Sequence, residues 1–218
     1  MDDPNVQDNA RKFTRESAEF RREALIHATL NLIAEVGIRG ATVRGIAARA
    51  NVTQGLIRHY FSTKEDLVQA SYEYHMNTLT DQTAAASGQG GAVSQLTNFV
   101  DASLRPPVID PSAVALWAGF LNKVQHDPKM QRIHQRTYSY FRDQLETLIV
   151  AALRESGRSV APGEATRLAI ACNAVIDGLW LEGGALPDAF SEGQLAQIGL
   201  ESVGAITGIP LTKEVEQS

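Results

Sequence analysis

The sequence predicts an all-α protein of about nine helices: an N-terminal three-helix helix-turn-helix domain followed by a larger helical domain. Three observations lead there. Apolar residues recur at intervals of three and four along most of the chain, and no stretch alternates with the period of two that a half-buried strand requires. Capping residues, Asp-Pro pairs and glycine stops are frequent and fall at the ends of these periodic runs. The stretch 42–67, TVRGIAARANVTQGLIRHYFSTKEDL, holds two short apolar stripes on either side of a tight break, the spacing of a helix-turn-helix.

Taken in order, residues 1–15 are polar and aperiodic and read as a flexible tail, with Arg11, Lys12 and Arg15 placed either to follow a nucleic-acid backbone or simply to meet solvent. From residue 16 the stripe Leu25, Ala28, Leu32, Val36, widened by Ile26, Leu30 and Ile33, marks a first helix that Gly37 closes. Val43, Ile46, Ala47 and Ala50 form one buried face of a second helix with Thr42 at its cap. Asn51-Val52 interrupts, Thr53 caps again, and Leu56, Ile57, Tyr60 and Phe61 supply the apolar side of a third. Ser62 and Glu65 read as a capping box for a long fourth helix from residue 63 to about 86, which the run Ser87-Gly88-Gln89-Gly90-Gly91 ends. The domain boundary is placed at 62/63, giving a helix-turn-helix domain over 16–62 and a second domain over 63–218.

Beyond the glycine-rich joint, Val93, Leu96 and Val100 mark a helix stopped by Pro106-Pro107. Asp110-Pro111 and Asp127-Pro128 each set a cap before a proline at the first helical position. One of these helices carries Trp117, Phe120, Leu121 and Val124; the other runs through Ile133, Thr137, Phe141 and Leu148 to Gly157. Residues 165–183 and 191–208 are two further helices, the latter opened by a Ser191–Gln194 capping box. Their stripes, with small residues Ala169, Ala196, Gly199 and Ala205, point to a four-helix dimer seam formed by Leu168, Cys172, Ile176, Leu179, Leu195, Ile198, Gly199, Val203 and Ile206. The same stripes would also serve to complete a monomer's core.

The open face of the third helix presents Gln54, Gly55, Arg58 and His59, donors and acceptors for base edges beside a glycine that lets the backbone approach a major groove. Thr42, Arg44, Thr53, Tyr60 and Lys64 stand where contacts to phosphate would fix the register. A net charge of −5 taken alone opposes this, but the charge is unevenly spread. Residues 11–64 hold ten Lys/Arg against four Asp/Glu, a surplus of +6, and the rest of the chain carries −11. Only the basic head has to meet phosphate.

Other classes find little support. The single cysteine, Cys172, permits no internal disulfide and fits a reducing cytosol. No leader is legible and no apolar run approaches the roughly 20 residues of a membrane span, so a cytoplasmic location without a membrane partner is expected. The five histidines lack metal spacing, and a nucleophile elbow, a phosphate loop and a dinucleotide fingerprint are all missing, so no metal, no cofactor and no catalytic residues are expected.

The order ATVRGIAARANVTQGLIRHYFSTKEDLV, preceded by a helix ending in GIRG, resembles the DNA-binding domain of TetR-family transcriptional regulators over roughly residues 20–70. IDGLWLEGGAL, residues 176–186, is similar to the carboxy-terminal half of the subgroup containing the choline-responsive BetI repressors. The resemblance implies a homodimeric repressor on a near-palindromic double-stranded operator, released when a small-molecule inducer enters the second domain. It implies a pocket there, for which Trp117, Phe120, Phe141, Asn173, Asp177 and Trp180 are the candidate lining. Aromatic faces and a carboxylate would suit a cationic inducer. An activator of the same type, a regulator without a small-molecule ligand and a helical enzyme with a DNA-binding-like head remain as alternatives.

Overall fold

The computed structural model describes residues 4–212, with side chains from residue 18 onward. Those residues form nine α-helices and one short 3-10 turn, with no strand among them. The chain divides into two compact units, Met1–His75 and Met76–Ser218, so the division falls inside the fourth helix and not ahead of it.

In the first unit α1 spans Pro4–Gly40. It therefore extends into the stretch read as an aperiodic tail: proline is well placed at a helix start, and no glycine or second proline interrupts before Gly37. The side chains of Arg11, Lys12 and Arg15 lie outside the described ones. Gly37 takes φ +71°, a left-handed conformation that glycine adopts without steric cost, and the regular helix ends there as expected before one further turn to Gly40.

α2 (Val43–Arg49) and α3 (Gln54–Tyr60) follow. Thr42 accepts a bond from the Gly45 amide at 3.1 Å, and Thr53 accepts one from the Leu56 amide at 3.2 Å, satisfying amides that a helix start otherwise leaves open. Between the helices Asn51 sits at φ +53°, the conformation asparagine tolerates better than other residues with a β-carbon, and the Val52 amide bonds the Ala47 carbonyl at 2.9 Å. Leu25, Ile26, Ile33, Ile46, Ile57 and Leu67 are buried. Truncating one of them, as in Ile57→Ala, is expected to cost about 2–5 kcal/mol.

α4 runs Lys64–Ser87. Its cap is Thr63 and not Ser62: the Thr63 hydroxyl accepts from the Asp66 amide at 3.0 Å and donates to the Asp66 carboxylate at 2.8 Å. Two overlapping Ser/Thr-x-x-acid patterns were available one residue apart, and the downstream one is used.

The second unit holds the remainder of α4 with α5 (Ala92–Ser103), α6 (Pro111–Val124), α7 (Pro128–Glu155), α8 (Glu164–Ala185) and α9 (Gln194–Thr207). Asp110 and Asp127 cap α6 and α7, each carboxylate accepting two amides of the first turn at 2.8–3.2 Å. The core joins α5, α7, α8 and α9 through residues such as Leu96, Phe99, Leu145, Ile149, Cys172 and Ala196. Glycines allow the closest approaches: a β-carbon at Gly184 would stand 2.1 Å from Val114, and one at Gly199 would stand 2.2 Å from Leu104.

These contacts take the most deeply buried residues out of the expected dimer seam. Cys172, Ile176, Leu195, Gly199 and Val203 are buried inside the subunit, whereas Leu168, Leu179, Ile198 and Ile206 are only partly covered by it. Ala169 and Ala196 are likewise interior. An apolar stripe marks the face a helix hides, and here the subunit itself covers its deepest part. The outward face of α8 carries Ile170, 48% exposed, and Leu181, 42% exposed, with exposed Ala174 and Gly178 between them. α8 is also, among the described residues, the one helix long and apolar enough to cross a membrane, with a mean hydropathy of 1.2 over its best window. Its inner side nevertheless builds the core just described, and it carries Asn173 and Asp177.

Candidate nucleic-acid interface and body cavity

In the first unit the short turn of α3 separates two sets of side chains. Ile57 is buried, while Gln54, Gly55, Arg58 and His59 are exposed, as are Thr42, Arg44 and Thr53. Tyr60 and Lys64 are partly covered. The rings of His59 and Tyr60 meet edge to face at 5.2 Å. Because Thr42 and Thr53 cap through their oxygen lone pairs, each hydroxyl keeps its own hydrogen for an outside acceptor such as phosphate. A β-carbon built on Gly55 meets only the Thr53 hydroxyl, at 3.7 Å, so the protein itself leaves that position open.

Two cations of this unit are engaged elsewhere. Arg49 grips Glu35 with two hydrogen bonds, and this guanidinium holds the Glu35 carboxyl below its usual range. Lys64 donates to the Ile38 carbonyl at 3.0 Å, using one of its three ammonium hydrogens to tie the start of α4 to the end of α1.

The second unit holds a partly open cavity of about 280 Å³, with the exposed Gly178 and Leu181 in its lining. Five of the six candidate lining residues reach it: Trp117 from α6, Phe141 from α7, and Asn173, Asp177 and Trp180 from α8. Phe120 does not. It is fully buried, on the side of α6 that packs against protein. Sequence reasoning missed Tyr138 and the hydroxyl residues Thr80, Thr83, Ser103 and Thr137. The signal for the first two was available, since Thr80 and Thr83 lie three apart on the apolar side of a long helix and therefore share a face.

The aromatic walls are mutually fixed. Trp117 and Trp180 meet edge to face at 5.8 Å, and the Trp180 indole donates to the Val108 carbonyl at 2.8 Å. Phe141 leans on Phe99 at 5.2 Å. Asp177 is the acidic group of the lining, and Asn173 donates to its Oδ2 at 2.7 Å. Tyr138 lines the same wall, with its hydroxyl near this carboxylate and near Trp117. Burial pushes Asp177 up to about 6, against the opposing pull of the Asn173 hydrogen bond, the nearby Tyr138 hydroxyl and the Arg142 charge. Burial, followed by the charge of Asp177, raises the Tyr138 phenol well above its usual range, so it stays protonated and remains a donor. The result is a small aromatic chamber with one anionic group, the arrangement that attracts a cation by ring quadrupoles and by charge together.

Comparison with known proteins places both halves. A family model described as bacterial regulatory proteins, tetR family, matches residues 25–71, and a second, described as BetI-type transcriptional repressor, C-terminal, matches residues 92–208. The HTH-type transcriptional regulator BetI of Burkholderia thailandensis is 30% identical over 171 residues, which cover 76% of this chain and 82% of that protein. A solved transcriptional regulator from Pseudomonas aeruginosa PAO1 is 32% identical with a TM-score of 0.78, covering 88% of this chain and 92% of its own. A regulator from Saccharomonospora viridis, solved in complex with choline, shares the fold at 18% identity and a TM-score of 0.68, over 83% of this chain and 93% of its own.

Proposed function

The chain belongs to the TetR family of transcriptional regulators, with the C-terminal half of a BetI-type repressor, and on that premise we propose that it is a cytoplasmic homodimeric repressor released from its operator by a small organic cation. The observation that carries the ligand class is the Asp177 carboxylate held beside Trp117, Tyr138, Phe141 and Trp180 in one chamber. A volume of about 280 Å³ suits a ligand of modest size.

In this reading Gln54, Arg58 and His59 contact base edges, with Gly55 giving the backbone room, while Thr42, Arg44, Thr53 and Tyr60 hold phosphates. Lys64 contributes charge near phosphate while bonded to Ile38, so its part is positional. Two heads about 34 Å apart would read a near-palindromic site. The second copy packs against the outward face of α8, where Ile170 and Ala174 are exposed. α4 provides the coupling element, since one continuous helix begins at Lys64 and also supplies Met76, Leu79, Thr80 and Thr83 to the chamber wall. A ligand that favours one placement of α4 shifts the heads by its differential affinity for the two states.

The test selects bound sites from randomised duplexes and then measures operator affinity with and without choline. A 5- to 150-fold weakening by choline is expected from a coupling of about 1–3 kcal/mol. Unaltered operator affinity at saturating choline would remove the release mechanism. Choline binding that survives both Trp117→Ala and Asp177→Asn would place the ligand elsewhere.

A further inference from the structure

The chamber opens beside Gly178 and Leu181, the exposed members of its lining. Ile170, Ala174, Gly178 and Leu181 follow one another at steps of four, four and three and therefore share one face of α8. Ile170 stands 48% exposed at one end of that face and Leu181 42% exposed at the other, with the two small residues between them. The order large, small, small, large reads the same in both directions. The charges at its ends do not: exposed Arg167 lies one turn before Ile170, and exposed Glu182 adjoins Leu181.

Such a face is complementary to itself once one copy is reversed. About a two-fold axis between Ala174 and Gly178 every contact is made twice. Ala174 meets Gly178, which lets the two helices approach closely, Ile170 meets Leu181, and Arg167 comes to the end of the copy that holds Glu182. A parallel pairing would instead set Arg167 beside Arg167 and Glu182 beside Glu182.

We propose that a second copy of the chain, packed antiparallel on α8, closes the mouth of the chamber, with the partner's Ile170 seated over Gly178 and Leu181. The inference rests on the seam and the inducer site proposed above and adds that neither chamber is complete within one subunit. Sites for small ligands bury most of the ligand's surface, and an apolar lid excludes water from the space in which the Asp177 carboxylate attracts a cation. Ile170 does not line the chamber of its own subunit and lies about 12 Å along the helix from Gly178, so it acts only across the seam. Occupancy and dimerisation are thereby linked, each strengthening the other by the same factor.

The experiment has two arms, both on the full-length protein. The first needs no ligand. Cys172 is buried, so thiols introduced at positions 170 and 181 are the accessible ones. The double variant Ile170→Cys, Leu181→Cys is expected to form a covalent dimer on mild oxidation. Neither single variant should do so, because each position would stand about 17 Å from its own copy, beyond the reach of a disulfide. Cross-linking by a single variant, or none by the double variant, would overturn the antiparallel seam and the lid with it.

The second arm measures choline affinity by titration calorimetry in mixed dimers, at concentrations where sedimentation shows dimers throughout. One chain carries Asp177→Asn, so binding is read in the other chain's chamber. Adding Ile170→Ala to the Asp177→Asn chain is expected to weaken choline binding about tenfold, the scale set by apolar groups missing from a pocket. Placing Ile170→Ala on the binding chain instead is expected to leave the affinity unchanged. Any other pattern, equal losses from both placements included, overturns the lid. If choline binds no form while the double-cysteine dimer still closes, the cation reading falls and the lid stands.

Discussion

On α3, Ile57 is buried while Arg58 and Gln54, its neighbours on the same two turns, stand in solvent. In the second unit no such division exists: Phe141 and Trp180 line the chamber and at the same time pack against the core formed by Phe99, Cys172 and Ile176. A surface that reads DNA can change its chemistry without disturbing what holds it up. A chamber built from core side chains cannot, and any substitution there moves both ligand affinity and stability. The same contrast appears in the titrating groups. Burial lowers His75 of the first unit to about 4, whereas burial raises Asp177 of the second to about 6.

The substitution expected to separate the two regions most clearly is Asp177→Asn. It should cut choline affinity by roughly 100-fold, the loss of a buried charge partner, while stabilising the unliganded protein by up to about 3 kcal/mol near pH 8. The sign follows from the raised value: the protonated form is favoured on folding, so this group's contribution is full below about 3.8 and is lost as pH rises through about 6. A variant that binds choline normally, or that melts lower at pH 8, would break the contrast. His75 runs the other way. Its lowered value means that stability is full above about 6.5 and is lost as pH falls toward about 4, by up to about 3 kcal/mol. His75→Gln should flatten that acid limb in a series of melts, and a limb identical to the parent's would assign it to other groups.

Smaller effects sharpen the picture of the head. Arg58→Ala is expected to cost about 1–3 kcal/mol of discrimination at one operator position with Tm unchanged, measured by competition between the selected site and its single-base variants. Equal losses on every duplex would instead make Arg58 a phosphate contact. Gly55→Ala should raise Tm through a gain of up to about 1 kcal/mol in helix propensity, because a β-carbon there meets nothing closer than 3.7 Å, yet weaken operator binding. Undiminished binding would mean that the duplex does not approach that backbone.

What the sequence made legible follows the same line. Caps are local events, so Thr42, Thr53, Asp110 and Asp127 were readable from their own neighbours, and so was the glycine stop at Gly37. The cap of α4 was misplaced by one residue because Ser62 and Thr63 offer nearly the same chemistry. The exposed face of α3 was readable because an amphipathic pattern names what points outward once the buried side is known. The same logic reaches less far on α8 and α9. Their apolar stripe says that a face is hidden and not by what, and Cys172, Ile176 and Val203 proved to be hidden by their own subunit. Phe120 and Tyr138 illustrate the limit in the chamber. Both are aromatics at helical spacing, and only the packing of three helices turns one into filler and leaves the other facing the space.

The chain contains two tryptophans, Trp117 and Trp180, and both stand in the chamber wall. All indole emission from this protein therefore originates within a few ångströms of any occupant. Filling the chamber will be visible without a label, while events on the head, which holds no indole, will reach that signal only if they travel down the chain to it.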